Sequence, residues 1–202
     1  IKTGKEVKYS QEEINIGDNT IDKEGYAHFM LKEIHDTPFI INHLVSHDSS
    51  MYRDFVDAIK TSKNVYTIGS GTAGVAASQI AFYLRTFAKI NTINLIGADA
   101  TEYFNLFSKD DLIIAPSQSG ETADVLEVLE IAQKRLSKIA SYVNMPGSTM
   151  SRISDFKFMA NAGPEICVVS TKVFTSQIAW GYLISKIVSG KGEEGRKKLK
   201  GL

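Results

Sequence analysis

The feature that most constrains the fold is a regular alternation of short apolar segments with longer segments of helical periodicity. This alternation is typical of α/β proteins, in which right-handed crossover connections make successive strands parallel. It predicts an α/β fold with a doubly wound, five-stranded parallel sheet. The predicted strands are residues 65–68, 92–96, 112–114, 139–143 and 156–159.

We expect the strands to follow the flavodoxin-like order 2-1-3-4-5. Strands one and three are then neighbours at the switch point of the sheet, where ligands bind beyond the carboxyl ends of the strands. The loop that contains Gly71 and Thr72 follows strand one, and residues 117–122 follow strand three. The two loops should therefore face each other across one cleft.

Helices are predicted before the first strand. Apolar residues recur at helical spacing from Lys23 to Ile34. Pro38 should end or kink this helix, with Thr37 as the N-cap of a second one. A third helix is predicted near residues 51–61.

Residues 117–122, which we call the hydroxyl loop, have the composition of a phosphate site. The loop lies between a buried strand and a helix, and it offers Ser117, Gln118, Ser119, Gly120 and Thr122. The helix start adds unpaired N–H groups and a partial positive charge, which together favour an anion such as phosphate. A simpler interpretation uses only Ser119, as an N-cap, and Gly120, as a turn residue.

The loop after the first strand leaves an alternative open. Gly69, Gly71 and Gly74 have the spacing of a dinucleotide fingerprint, and Asp99 follows the second strand, where an acid could hold a ribose. A nicotinamide site would leave the hydroxyl loop without a role. The phosphate interpretation is therefore preferred.

Charge and composition argue against several classes of partner. The chain has 23 Lys and Arg against 23 Asp and Glu, so no net charge attracts nucleic acid or an anionic membrane. No apolar run reaches the length of a membrane span. Cys167 is the only cysteine, which excludes an internal disulfide and fits a reducing compartment. These features predict a cytoplasmic protein.

Two potentially reactive features are interpreted as structural. His43 and His47 have the i, i+4 spacing of a metal pair, but no acidic or cysteine partner stands at ligand spacing, so no metal site is predicted. Cys167 lies between Ile166 and Val168, and no histidine follows position 47. We therefore expect Cys167 to pack and not to act as a nucleophile.

Four motifs occur in one order along the chain. They are Gly-Tyr-Ala-His-Phe-Met-Leu-Lys-Glu-Ile at 25–34, Ser-Gln-Ser-Gly-Glu-Thr at 117–122, Asn-Ala-Gly-Pro-Glu at 161–165 and Ser-Thr-Lys-Val-Phe-Thr at 170–175. Together they resemble the first SIS (sugar isomerase) domain of the glutamine–fructose-6-phosphate aminotransferases, the family that makes glucosamine 6-phosphate.

The resemblance implies a set of residues that bind a hexose 6-phosphate, with the hydroxyl loop on the phosphate and the other members on the sugar. That set is Gly71, Thr72, Ser117, Gln118, Ser119, Thr122, Val168 and Ser170. The family usually has serine after the threonine of the first loop. Ala73 stands there in this chain, so one expected hydroxyl contact is missing.

The resemblance also implies the reaction of the whole enzyme, which makes glucosamine 6-phosphate from fructose 6-phosphate and glutamine without a metal or organic cofactor. In that family the nucleophile belongs to a glutaminase domain, and the acid–base groups belong to a second SIS domain and the C-terminal tail. No catalytic residue is therefore predicted within this chain. Its expected partners are a hexose 6-phosphate, those two domains of the same polypeptide and a second copy in a homodimer.

Two further interpretations of the same motifs stay open. One is a regulatory module that senses sugar phosphates, and the other is an amino-sugar-phosphate deaminase or isomerase. Residues 1–22 are predicted to be a linker or tail, because in the synthase family this stretch would lead from a glutaminase domain. Residues 23–190 would be the SIS domain. Residues 191–202 lose the apolar pattern and are predicted to be a solvated tail or linker.

Overall fold

The computed structural model describes residues 22–201, so the predicted linker lies, apart from Asp22, outside the described residues. Five parallel strands form one sheet: β1 (Asn64–Gly69), β2 (Thr92–Ile96), β3 (Asp111–Ser117), β4 (Lys138–Val143) and β5 (Phe156–Met159). Their order is β2-β1-β3-β4-β5. The predicted fold class and strand order are both confirmed.

Helices cover both faces of this sheet. They are α1 (Phe29–Ser46), α2 (Arg53–Thr61), α3 (Gly71–Tyr83), α4 (Ala123–Lys134), α5 (Thr149–Ile153), α6 (Lys172–Val188) and α7 (Gly192–Lys200). Two 3₁₀ segments, Ser49–Tyr52 and Gly97–Tyr103, and a π-helical turn, Leu84–Ala88, complete the order. Within residues 22–201, no helix is both long and apolar enough to cross a membrane.

The strands alternate their side chains between two apolar layers, as a pleated sheet requires. Leu112 and Ile114 of β3 face the layer of α1, α2, α3, α6 and α7. Ile113 and Ala115 face the layer of α4 and α5. Because β3 is covered on both sides, its residues are uniformly buried, which explains why it reads as a continuous apolar run and not as an alternating one.

Trp180 of α6 is the centre of the first layer. Its side chain is fully buried, and its ring stacks on Tyr142 at 4.8 Å and on Phe55 at 5.8 Å between centroids. The next residue, Gly181, lets α6 approach α3 closely, because a Cβ at that position would lie 2.4 Å from Cγ1 of Ile80. One aromatic anchor and one glycine thus fix how α6 lies against the sheet.

The predicted break at Pro38 is wrong, because α1 continues through it to Ser46. Pro38 cannot donate a backbone hydrogen bond, but its ring lies on the exposed side of the helix. Beyond it, Ile40 and Leu44 pack into the first layer. Burial of this apolar face stabilises the second half of α1 despite the lost hydrogen bond.

The C-terminal segment also differs from its prediction as a solvated tail. Residues 192–200 form α7, in which Leu199 is 6% and Arg196 8% exposed. The Arg196 guanidinium donates to the Val45 carbonyl oxygen at 2.5 Å and to Ser49 Oγ at 2.8 Å. The charged run misled the sequence interpretation because a few buried contacts, and not a long apolar stripe, fix this helix. Its further role as a linker stays a prediction.

Candidate functional site

The carboxyl ends of β1 and β3 lie side by side. The two strands pair in register up to Thr67 and Ile114, and Ser70 and Ser117 each follow three residues later. The α3 helix begins after β1 and packs in the first layer, whereas α4 begins after β3 and packs in the second. This divergence is the switch point at which open α/β sheets bind ligands.

Gly97 brings the starts of these two helices close together. A Cβ added there would lie 2.8 Å from Ser70 Oγ, at the start of α3, and 3.2 Å from Asp124 Cβ, at the start of α4. Only a residue without a side chain fits between them. The starts of α3 and α4, which follow the two predicted loops, therefore lie close together.

The hydroxyl loop closes on itself through its own serines. Ser117 Oγ accepts a hydrogen bond from the Gly120 N–H at 2.9 Å, and Ser119 Oγ accepts one from the Glu121 N–H at 3.2 Å. Gly120 has φ +66°, a left-handed conformation that glycine adopts without strain. Both hydroxyls use lone pairs in these bonds, so each keeps its own proton available to donate.

The N-cap of α4 is Thr122, so the simpler interpretation of Ser119 as the cap is wrong. Thr122 makes no side-chain capping bond within the described structure, and neither does Ser70, the N-cap of α3. Gly71 has φ +58° at the first position of α3, and Thr72 is exposed beside it. Both helices therefore present uncapped N–H groups and positive dipole ends.

The segment after β4 supports the hydroxyl loop from outside. Gly120 packs so closely on Ser148 that a Cβ would lie 2.4 Å from Ser148 Oγ. The Met150 N–H donates to the Gly120 carbonyl oxygen at 3.0 Å, and the Thr149 N–H donates to Glu121 Oε1 at 2.7 Å. Through Oε1, Glu121 thus stabilises the start of α5.

This hydrogen bond predicts a pH dependence of stability. The bond from Thr149, with a smaller contribution from Arg152, lowers the pKa of Glu121 below its ordinary 4.5. A depressed folded-state pKa adds stability that is present above the unfolded-state pKa and is lost as pH falls through the folded-state pKa. We expect Glu121→Gln to be less stable than the wild type near neutral pH, and equal to it in acid.

Urea unfolding at a series of pH values measures this difference. Glu130→Gln is the matched control, because Glu130 is exposed on α4 with no ion pair among the described residues. Its stability should follow the wild type throughout. A stability difference between Glu121→Gln and the wild type that persists unchanged into acid would show that ionisation of Glu121 does not cause it.

Asn144, directly after β4, joins the hydroxyl loop to the segment after β5. Its N–H donates to the Gln118 carbonyl oxygen at 3.2 Å. Its side-chain Nδ2 donates to the Gly163 carbonyl oxygen at 2.8 Å, and its Oδ1 accepts from the Ala162 N–H at 2.9 Å. Three consecutive strand ends are thereby connected through one buried amide.

The segment before α6 holds the other two predicted site residues. The α6 helix begins at Lys172, and Glu165 caps it by accepting from the N–H groups of Thr171 (2.7 Å) and Val173 (3.3 Å). Ser170 Oγ donates to the same carboxylate at 2.9 Å. Val168 is fully exposed.

The predicted site is therefore assembled in two parts. Gly71, Thr72 and the hydroxyl loop follow the neighbouring ends of β1 and β3, whereas Val168 and Ser170 make no hydrogen bond to that loop in the described structure. The connection between the parts runs through Asn144 and residues 162–165. A cavity of about 320 Å³ lies beside this connection, lined by Lys32, Glu33, Asp36, Gly163 and Lys172 among others, and it does not include the hydroxyl loop.

The two histidines and the cysteine that were interpreted as structural have these surroundings. His43 and His47 contact each other edge-on at 4.7 Å, and no cluster of three or more metal-ligating side chains exists within residues 22–201. Burial, together with His43 and Arg196, lowers the pKa of His47. Cys167 is half-buried and free, and its N–H bonds to Glu33.

Comparison with known proteins supplies the family. A model of the SIS domain matches residues 58–185, which is more than half of the chain. The chain belongs to the SIS domain family. As an SIS domain it is 39% identical over 184 residues to a glutamine–fructose-6-phosphate aminotransferase (isomerizing) of Sulfurisphaera tokodaii, covering 89% of this chain and 30% of that protein. The identity to the enzyme of the same name from Pyrobaculum aerophilum is 39% over 157 residues, covering 77% and 26%.

A solved structure agrees with these relatives. The C-terminal domain of glucosamine-fructose-6-phosphate aminotransferase from Francisella tularensis superposes with a TM-score of 0.76 at 28% identity, covering 89% of this SIS domain and 55% of that chain. Membership of the SIS family disfavours the dinucleotide interpretation of Gly69, Gly71 and Gly74. The chain spans about a quarter to a third of the length of the two relatives above.

Sequence reasoning missed the residues that hold the SIS site together. Neither Asn144 nor Glu33 is singled out by the sequence, since Asn144 lies between a predicted strand and Pro146, and Glu33 enters only as one residue of the motif at 25–34. Both are buried, Asn144 at 6% and Glu33 at 2% exposure. Burial of a polar side chain signals a specific partner, but the local sequence carries no such signal.

Proposed function

We propose that this SIS domain binds a hexose 6-phosphate, as part of a glutamine–fructose-6-phosphate aminotransferase (isomerizing). The observation that carries the proposal is the pair of uncapped helix starts, α3 at Ser70 and α4 at Thr122, that lie close together beyond the ends of β1 and β3. Two N-termini with unpaired N–H groups at one place suit a doubly charged anion, and a phosphate supplies the oxygens to satisfy them.

The hydroxyl loop gives this anion site its directional donors. Ser117 and Ser119 accept bonds from within the loop, so their protons can point to the phosphate oxygens. Gln118 and Thr122 add an amide and a hydroxyl, both half-buried. Hydrogen bonds to a charged acceptor are about twice as strong as neutral ones, so the loop would fix the phosphate end of the sugar.

The sugar portion would extend from the anchored phosphate toward Gly71 and Thr72 on one side and Val168 and Ser170 on the other. Gly71 leaves its surroundings open, since a Cβ there would meet nothing within 4 Å. Ala73 is half-buried and offers no hydroxyl, so the sugar contacts on that side fall to Thr72 and backbone groups. Binding and orientation are the roles assigned to this chain.

The chemistry of the proposed enzyme needs further parts of a longer polypeptide. Amination of a ketose phosphate requires an ammonia source and positioned acid–base groups. Glu121 and Glu165 accept backbone N–H groups, and Lys172 is paired with Asp36 at 3.2 Å. These groups serve structure, so the proposal assigns the ammonia to a glutaminase domain and the acid–base groups to a second SIS domain, in a cytoplasmic homodimer.

Ser119→Ala tests the proposed phosphate site. Loss of one donor to a charged acceptor should weaken fructose 6-phosphate binding by about 1–3 kcal/mol. Titration calorimetry measures the change, with fructose as the ligand that lacks the phosphate. The control is Ser78→Ala, on the exposed side of α3 away from its start.

Three further results are expected if the proposed function is right. The wild type and Ser78→Ala should bind fructose 6-phosphate equally, and neither should bind fructose measurably. The isolated chain should not form glucosamine 6-phosphate from fructose 6-phosphate and ammonia. Equal affinity of wild type and Ser119→Ala for fructose 6-phosphate would contradict the phosphate role of the loop.

A further inference from the structure

Glu33 in α1 is a buried carboxylate with an unusual set of partners. It is 2% exposed, and no cation pairs with it among the described residues, since Lys32 and Lys172 both bond to Asp36. Glu33 Oε1 accepts from the N–H groups of Ile166 at 2.5 Å and Cys167 at 3.1 Å. Oε2 accepts from Thr171 Oγ1 at 3.4 Å.

Burial of a carboxylate is costly unless several donors replace its water. Here the donors belong to one irregular segment that lies 133 to 138 residues away in the sequence. These N–H groups of residues 166 and 167 are not used by a helix or a strand. The contact therefore fixes the backbone of that segment against α1.

A second carboxylate and an ion pair fix the far end of the same segment. Glu165 accepts from Thr171 and Val173 N–H groups and from Ser170 Oγ, and Lys172 Nζ lies 3.2 Å from Asp36 Oδ2. Only residues 168 and 169 lie between the two anchors. Val168 is fully exposed there, so a valine side chain is held on a fixed backbone with nothing packed against it.

We propose that Glu33 is a positioning residue for the sugar-binding part of the site. Its carboxylate holds residues 166–171 so that Val168 and Ser170 meet the carbon atoms and hydroxyls of a hexose whose phosphate is bound by the hydroxyl loop. Glu33 itself touches no ligand. This inference rests on the proposed function, because it assumes that a hexose 6-phosphate occupies the cleft.

The test separates the sugar contribution to affinity from the phosphate contribution. Titration calorimetry compares fructose 6-phosphate with inorganic phosphate for the wild type, Glu33→Ala and Glu33→Gln. Glu33→Ala should lose about tenfold in affinity for fructose 6-phosphate, the loss expected when backbone donors lose their acceptor, and should keep its affinity for inorganic phosphate. Glu33→Gln keeps the oxygen that accepts both N–H groups and should bind both ligands nearly as the wild type does.

Cys167 provides a second readout, because it is the only thiol of the chain and its own N–H bonds to Glu33. Release of the segment should expose the half-buried thiol more often. The rate of alkylation by iodoacetamide should rise about tenfold in Glu33→Ala and stay near the wild-type rate in Glu33→Gln. Where Glu33→Ala fails to fold, Glu33→Asp replaces it, since the shorter side chain keeps the charge but cannot reach both N–H groups.

The outcomes distinguish this inference from the function on which it rests. If the wild type binds neither fructose 6-phosphate nor inorganic phosphate, the proposed function fails and the positioning role fails with it. If the wild type prefers fructose 6-phosphate and Glu33→Ala keeps both that preference and the slow alkylation, only the positioning role is overturned. Equal weakening of both ligands in Glu33→Ala would mean a general structural role and would also overturn it.

Discussion

Gly120→Ala should abolish measurable fructose 6-phosphate binding and destabilise the fold. Gly120 has φ +66°, and a non-glycine residue in this conformation costs about 1–2 kcal/mol. Its Cβ would also lie 2.4 Å from Ser148 Oγ and 2.7 Å from Ser148 Cβ, and overpacking of this kind costs about 1–3 kcal/mol. Relief of the clash requires the loop to move away from α5, which breaks the Met150 hydrogen bond and displaces the hydroxyls of Ser117 and Ser119.

Gly190→Ala separates the two costs. Gly190 has φ +76°, but an added Cβ would meet no atom within 4 Å. This control should therefore lose only about 1–2 kcal/mol of stability, which is the conformational cost. It should bind fructose 6-phosphate as the wild type does. Urea unfolding and titration calorimetry measure both quantities. Gly120→Ala that binds like Gly190→Ala would show that the loop tolerates displacement and does not hold the phosphate.

Trp180→Ala should cause the largest loss of stability, about 3–5 kcal/mol, with a fall in melting temperature of about 10 °C. Trp180 is fully buried against Tyr142, Phe55 and Phe158, so its removal leaves a large cavity between α6 and the sheet. The cavity cannot be filled by a shift of α6, because Gly181 already brings α6 into contact with Ile80.

Two comparison variants sharpen this prediction. Phe82→Ala removes an aromatic ring from α3 that is 48% exposed, and it should cost far less. Trp180→Phe should also lose much less than Trp180→Ala, because Trp180 Nε1 has no hydrogen-bond partner among the described residues and no polar contact is lost. Calorimetric unfolding of Trp180→Ala, Trp180→Phe and Phe82→Ala measures how much stability each variant loses. A loss for Trp180→Ala below that for Phe82→Ala would contradict the described core.

The strands of the sheet were predictable because each is marked by a short pattern of neighbouring residues. The second and fifth predicted strands have the bounds of β2 and β5, and the other three agree within a few residues, since each is an apolar run followed by a break. The hydroxyl loop was predictable for the same reason, because its donors are contiguous from Ser117 to Thr122. The simpler interpretation, with Ser119 as the N-cap, places the start of α4 too early, because Thr122 occupies that position.

The remaining features depend on contacts between distant residues. Pro38 should interrupt a helix by its chemistry, and only the burial of Ile40 and Leu44 shows why it does not. The α7 helix depends on Arg196, whose acceptors are Val45 and Ser49 on the opposite end of the chain. A single sequence does not record which residues meet across more than a hundred positions.

Those distant contacts also set an order of events during synthesis. The layer of α4 and α5 contains no residue beyond Met159, so it can form as soon as β5 has left the ribosome. The layer around Trp180 cannot form so early, because α1 is synthesised before its partners in α6 and α7. Arg196, for example, bonds to Val45, which lies 151 positions away in the sequence. A nascent chain that already has its sheet therefore still exposes the apolar residues of α1 and α2. One face of the same sheet can close early, while the apolar side chains of the other face stay exposed, as a surface on which aggregation can begin, until α6 and α7 have been made.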